Sequence, residues 1–226
     1  MGPKTDKVVD IHHGYSRFQF AESQFDSSIH DYLALFLKGR ADGEPRDPER
    51  RFNSVICLDI SGSMNCTLGA KSTKHATRIS LCIEAIKMFI SKLQPEDSVG
   101  MTTFDQQAHL IFEPILKKDI DEGIYTRLES IKACGGNTLI DGFEMSKELL
   151  LENMKNQTPG REYENRVIVL SDVCDSSITQ GLQKIKDAAF KDNVHLTIVG
   201  ISTEFNSATC EDLRETKGFN YFCATS

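Results

Sequence analysis

No stretch of this 226-residue chain is apolar over the roughly 20 residues that a membrane-spanning helix needs, which argues against membrane insertion. The opening Met1-Gly2-Pro3-Lys4-Thr5-Asp6-Lys7 lacks the apolar core of a signal peptide. Gly2 is followed by Pro3, and residue 6 is Asp rather than Ser or Thr, so a myristoylation reading is set aside. Basic residues are in deficit: 26 Lys and Arg against 33 Asp and Glu leave a formal charge of -7, which argues against nucleic acid as a partner. The seven cysteines are odd in number and contain no Cys-x-x-Cys pair, so they form no disulfide framework. Cys57 and Cys82 lie in apolar patterns and read as small core residues, and the expected compartment is the reducing cytoplasm. The chain also has no Gly-x-x-x-x-Gly-Lys phosphate loop, no Gly-x-Ser-x-Gly elbow and no Gly-x-Gly-x-x-Gly turn. Asn65-Cys66-Thr67 and Asn156-Gln157-Thr158 have the form of glycosylation sites, but such triplets arise often by chance and neither is assigned a glycan.

What the chain does have is centred on Val55-Ile56-Cys57-Leu58-Asp59-Ile60-Ser61-Gly62-Ser63. The apolar part reads as a strand buried on both faces, as in the middle of a parallel sheet. It ends in a carboxylate and two hydroxyls at every second position, with Gly62 allowing a tight turn. Ligands of open α/β sheets bind beyond the carboxyl ends of the strands, so Asp59, Ser61 and Ser63 are expected to converge there. All three offer oxygen, the donor that suits hard cations such as Mg2+, Mn2+ or Ca2+. Two further stretches point to the same edge. Gly135-Gly136-Asn137-Thr138 is a flexible turn before a helical pattern and can present the Thr138 hydroxyl. Val167-Ile168-Val169-Leu170-Ser171-Asp172 is a second buried strand closed by a carboxylate.

In these residues the chain resembles the von Willebrand factor A domain from about Asn53 onward. The metal-ion-dependent adhesion site of that family combines Asp-x-Ser-x-Ser after the first strand, a Thr after a Gly-rich turn, and an Asp after the fourth strand. The resemblance maps these onto Asp59, Ser61 and Ser63, then Thr138, then Asp172. Val173 stands where the family usually has Gly, which stiffens that loop. The resemblance implies a Rossmann-like three-layer α/β sandwich, with about six strands in a mostly parallel twisted sheet. One strand is antiparallel, and helices cover both faces.

The strand and helix patterns agree with that outline. Residues 52–226 are expected to form the domain, and residues 1–51 an N-terminal extension that packs on it or pairs with an edge. In the extension, residues 1–15, with His12-His13, read as a tail, whereas Arg17–Ala21 and Tyr32–Leu37 read as strands. Thr67–Lys74 is a polar loop, and Ile79, Ile83, Ile86, Ile90 and Leu93 mark a helix that stops before Pro95. Lys71, Lys74, His75 and Arg78 place positive charge near the metal edge, either steering an acidic partner or simply forming a solvated turn. Val99–Thr103 and Ala108–Phe112 make a hairpin that supplies the antiparallel strand. Asp119–Ile131 and Asp141–Met154 read as helices, and Ile178, Leu182, Ile185 and Ala189 line a further one. Val194–Ile201 is a strand, Ala208–Thr216 a short helix, and Phe219–Cys223 a last strand. The family usually adds one more helix, so the chain is expected to be a piece of a longer protein.

The function expected from this pattern is a divalent-metal-dependent protein-binding module, with Mg2+ as the physiological ion. Two carboxylates and three hydroxyls leave the cation electrophilic, so that a Glu or Asp of a partner can complete its shell. A second reading is an intracellular scaffold or assembly subunit whose metal site is unused. The third is a metal-dependent phosphohydrolase with Asp59 as nucleophile. Haloacid-dehalogenase-like phosphatases carry a second Asp two residues on as general acid, where this chain has Ser61. A hydroxyl cannot cycle a proton near neutral pH, so the expectation is that the chain is not an enzyme.

Overall fold

The apolar run that ends at Asp59 forms an inner strand of a six-stranded sheet. The computed structural model describes residues 9–18, 30–39, 50–67, 76–172, 185, 187–201 and 219–223. The chain divides into two units, Met1–Asp47 and Pro48–Ser226. In the first, β1 (Val9–Phe18) and β2 (His30–Gly39) form an antiparallel pair, with Val9 opposite Gly39 and Phe18 opposite His30. The tail expected through residue 15 is therefore strand from Val9 onward; of the strand expected over Arg17–Ala21, Arg17 and Phe18 belong to β1 and residues 19–21 lie outside the described residues. A ladder of main-chain hydrogen bonds with the apolar β2 does not depend on side-chain alternation, and that alternation is poor in Val9–Ser16.

The second unit runs β3 (Arg51–Asp59), α1 (Arg78–Lys92), β4 (Ser98–Phe104), β5 (Ala108–Leu116), α2 (Glu122–Ser130), α3 (Leu139–Met154), β6 (Tyr163–Ser171), β7 (His195–Gly200) and β8 (Phe219–Cys223). The strand order is β5-β4-β3-β6-β7-β8, and all pairings are parallel except β4 with β5. This is the expected α/β architecture, with its antiparallel strand at one edge. Residues 185 and 187–191 are helical, with Ile185 and Ala189 buried as the pattern required. Ile178, Leu182, the segment 208–216 and the basic residues Lys71, Lys74 and His75 lie outside the described residues.

Successive residues of a strand point to opposite faces, and β3 fills both. Val55 and Cys57, with Val167 and Val169 of β6, pack against Leu139, Phe143 and Leu150 of α3. Ile56 and Leu58, with Leu170, pack against Ile79, Ile83, Ile86 and Ile90 of α1 and against Ile124 and Leu128 of α2. Each such side chain removed from water contributes about 1.5–3 kcal/mol before entropy is counted. Burial pushes the thiols of Cys57 and Cys82 up to about 12, so both are inert core groups.

Capping explains where the helices start. Thr77 accepts from the Ser80 amide at 3.3 Å and opens α1. Residues Lys117–Asp119 form a separate 3-10 turn, and Asp121 accepts from Ile124 N at 3.1 Å, so α2 begins at Glu122 rather than Asp119. Asn137 Oδ1 accepts from Leu139 N at 3.2 Å, which starts α3 two residues before Asp141. Strand β5 runs past Phe112 to Leu116 and includes Pro114. A sheet edge tolerates a residue without an amide hydrogen, so proline does not end the strand here.

The chain lays β4 and β5 on one side of β3 and then returns to place β6 on the other. That reversal opens a crevice beyond the carboxyl ends of β3 and β6, where Asp59 and Asp172 lie. At the opposite end of the strands a half-buried amide cluster around the buried Asn53 interlocks three strands and a helix. Asn53 of β3 donates to Asn165 of β6 at 2.8 Å and accepts from Ser98 of β4 at 2.8 Å and from Asn153 of α3 at 2.6 Å.

Candidate metal centre

The strand end delivers Asp59 fully buried, and the turn after it is a 3-10 segment, Gly62–Asn65. Asp59 Oδ1 accepts from the Ser61 amide at 2.8 Å. Its Oδ2 accepts from Ser171 Oγ at 2.6 Å and from Asn137 Nδ2 at 2.9 Å. Burial is the main influence on this carboxyl and pushes it above its ordinary value; the charge of Asp172 adds to the effect, while the Ser171 and Ser61 hydrogen bonds oppose it. A nearby cation favours the ionised form in just such a setting.

From Ser61 the contacts run outward. Ser61 Oγ lies 3.1 Å from Ser63 Oγ, and Ser63 Oγ donates to Asp172 Oδ1 at 2.8 Å. Asp172 is buried at the end of β6, and its Oδ2 takes Arg78 Nη1 at 2.5 Å. Asp59, Ser61, Ser63 and Asp172 thus form one connected group of oxygens. Thr138 reaches it indirectly. Its hydroxyl donates to the Asp105 carbonyl at 3.0 Å, which leaves the oxygen lone pairs available, and its neighbour Asn137 is the residue bonded to Asp59.

The supporting loops are tied to β3. Cys134 N donates to Ile60 O at 2.6 Å and Gly62 N to Gly135 O at 3.2 Å, which pulls the Gly-rich turn across the strand end. Gly135 has φ +86°, a conformation that side chains disfavour, and a Cβ there would meet Asp105 Oδ2 at 3.0 Å. The donor set is all oxygen, the chemistry a hard cation requires. It holds only two carboxylates; among the described residues no three His, Cys, Asp or Glu gather in one place. The hydroxyls therefore carry the fit.

Three participants escape a reading of residue types. Asn137 and Ser171 both bind Asp59, and Arg78 proves to be a direct partner of Asp172 rather than a free charge on a turn. Ser171 had a signal: a hydroxyl inside a run of buried apolar residues needs a partner, and a neighbouring strand end offers a carboxylate.

This arrangement defines a Rossmann-like three-layer α/β domain with an oxygen-lined crevice at its switch point. The family model for the von Willebrand factor type A domain matches residues 54–176, more than half of the chain, and the chain belongs to that family. Such domains are generally protein-interaction or adhesion modules, and the structural neighbours are mostly non-enzymatic. Among solved structures, the SpRpn10 VWA domain superimposes with a TM-score of 0.59 at 14% identity, covering 77% of this chain and 88% of that one. The conserved hypothetical protein BatB from Bacteroides thetaiotaomicron gives 0.55 at 17% identity, covering 78% and 91%. Proximal thread matrix protein 1 from the mussel byssus, in a form with a zinc-occupied MIDAS motif, gives 0.53 at 16% identity, covering 77% of this chain and 42% of that one. At these identities the likeness speaks for the fold. No curated protein sequence matches the chain. Among the described residues no helix is long and apolar enough to cross a membrane.

Proposed function

We propose that Asp59, Ser61, Ser63, Thr138 and Asp172 bind one divalent cation, physiologically Mg2+, and that the loaded centre captures a Glu or Asp side chain of a protein partner in the cytoplasm. The observation that carries this reading is the run of oxygens from Asp172 through Ser63 to Ser61, set beside the buried Asp59. When bound, the ion supplies Lewis acidity toward an incoming carboxylate. The protein's own part is to hold the oxygens: Ser171 and Asn137 orient Asp59, Ser63 orients Asp172, and the Asp105 carbonyl takes the Thr138 proton, leaving that hydroxyl's lone pairs to donate. The zinc-occupied MIDAS of the mussel protein is consistent with this class of site. The free thiols of Cys57, Cys66, Cys82 and Cys134 suit a reducing compartment.

Metal binding is tested by thermal melts in EDTA and in excess Mg2+ or Mn2+. A site filled to about ten times its dissociation constant should add about 1.4 kcal/mol, a rise of about 3–6 °C for a chain of this size. Identical melts in every condition would sink the proposal. With a partner in hand, the complex should form in Mg2+, fail in chelator, and fail when one partner acid is changed to its amide.

The assembly-subunit reading, with the metal unused, has one observation in its favour: Arg78 already neutralises Asp172. It predicts a complex that forms equally well in chelator.

A further inference from the structure

We propose that Arg78 sets the charge of the metal centre, weakening its hold on the cation and strengthening the loaded centre's attraction for an acidic ligand. The inference rests on the metal-centre reading above and concerns a residue that reading does not use. Arg78 Nη1 sits 2.5 Å from Asp172 Oδ2, and the two side chains are 16% and 1% exposed. A pair this withdrawn from solvent is weakly screened.

The position of Arg78 adds a second argument. It is the first residue of α1, and the first turn of that helix contains no acidic residue. The positive end of the helix dipole disfavours a cation there. Asp172 offsets that cost, so the pair is held together against the preference of the helix itself. The two carboxylates of the crevice are also treated differently. Asp59 receives the Ser61 amide, Ser171 and Asn137, all neutral donors, whereas Asp172 receives a guanidinium beside the Ser63 hydroxyl. An arginine keeps its charge at every pH a folded protein meets, so the bias is permanent.

The arithmetic of charge gives the consequence. Two carboxylates alone would cancel a divalent ion and leave the loaded centre neutral. The guanidinium makes the loaded centre one unit of charge more positive than it would be without Arg78, which favours an incoming carboxylate. One residue therefore acts in opposite directions on the two ligands: it repels the cation and attracts the anion. A residue that merely shaped the site would move both affinities the same way.

The test uses the whole chain with Arg78→Gln and Arg78→Lys, with Mn2+ as the metal probe and acetate as the anion probe. Mn2+ affinity is read by calorimetry, and acetate binding to the Mn2+-loaded protein by water-proton relaxation. Arg78→Gln should tighten Mn2+ by about tenfold or more and weaken acetate by a similar factor. Arg78→Lys, which keeps the charge, should stay within about threefold of the unaltered chain on both measures. If Arg78→Gln does not fold, Arg78→Met keeps the packing of the stem and must give the same crossed pattern. Affinities that fall together, or that do not move, overturn the role assigned to Arg78. Absence of Mn2+ binding in the unaltered chain is a different failure and overturns the metal centre itself.

Discussion

Asp59→Ala is expected to abolish Mn2+ binding, with calorimetry detecting no site at concentrations that saturate the unaltered chain. Asp59 brings charge, full burial and the rigid end of an inner strand, so water cannot replace it at equal strength. The metal-dependent rise in melting temperature should vanish with it. The fold itself should persist at some cost in stability, because the groups left behind are neutral donors, an amide, a serine and an asparagine, and no buried charge loses its partner. Thr138→Ala should cost much less, since a neutral oxygen is the easiest donor to replace. Retention of Mn2+ affinity by Asp59→Ala would mean that the ion binds elsewhere.

The second large effect concerns stability. Gly142 lies in the first turns of α3, and a Cβ built there would sit 2.6 Å from Phe104 Cδ1 and 2.8 Å from Phe104 Cβ. Phe104 is fully buried at the end of β4, so its ring can move aside only by displacing packed neighbours. In an exposed helix Gly→Ala would stabilise by about 1 kcal/mol. Here overpacking should dominate, leaving a net loss of about 1–3 kcal/mol. For a chain of this length that lowers the melting midpoint by roughly 2–12 °C. Because Thr138 and Asn137 precede α3, a shifted helix also moves two residues of the crevice. Gly142→Ala should therefore lower Mn2+ affinity as well, although it touches no metal-binding oxygen. A variant that melts at or above the unaltered chain would show that α3 packs farther from β4 than described.

These outcomes separate what residue order can convey from what it cannot. Strands β3 and β6 were legible because burial on both faces demands an unbroken apolar run, and both runs stop at a carboxylate. The α1 face was legible because its isoleucines recur at three and four residues. Strand β5 runs four residues beyond the Phe112 expected from sequence, and its place at the sheet edge is what lets it continue through Pro114. Strand β1 was largely missed because its support comes from β2, not from its own alternation. The five oxygen residues proposed for the cation stand out in the sequence only as types at fixed spacing. The contacts around them were not legible, since Ser63 and Asp172 stand 109 residues apart, Arg78 and Asp172 94, and they meet only through the sheet order. The same holds for Ser171 and Asp59, which are separated by 112 residues.

The amide cluster at the far end of the strands has a consequence for how such a domain can change. Asn53 meets Asn165, Ser98 and Asn153 in a single alignment of β3, β4, β6 and α3. A slip of β3 by one residue would carry Asn53 to the opposite face and strand its partners without hydrogen bonds. The sheet is thus keyed at one end like a lock barrel, while its working surface lies at the other. Changes in the loops at the working end leave this key to the strand register in place. New binding preferences can therefore be grafted onto the segments after β3, α2 and β6, provided that Asn53, Ser98, Asn153 and Asn165 are left alone.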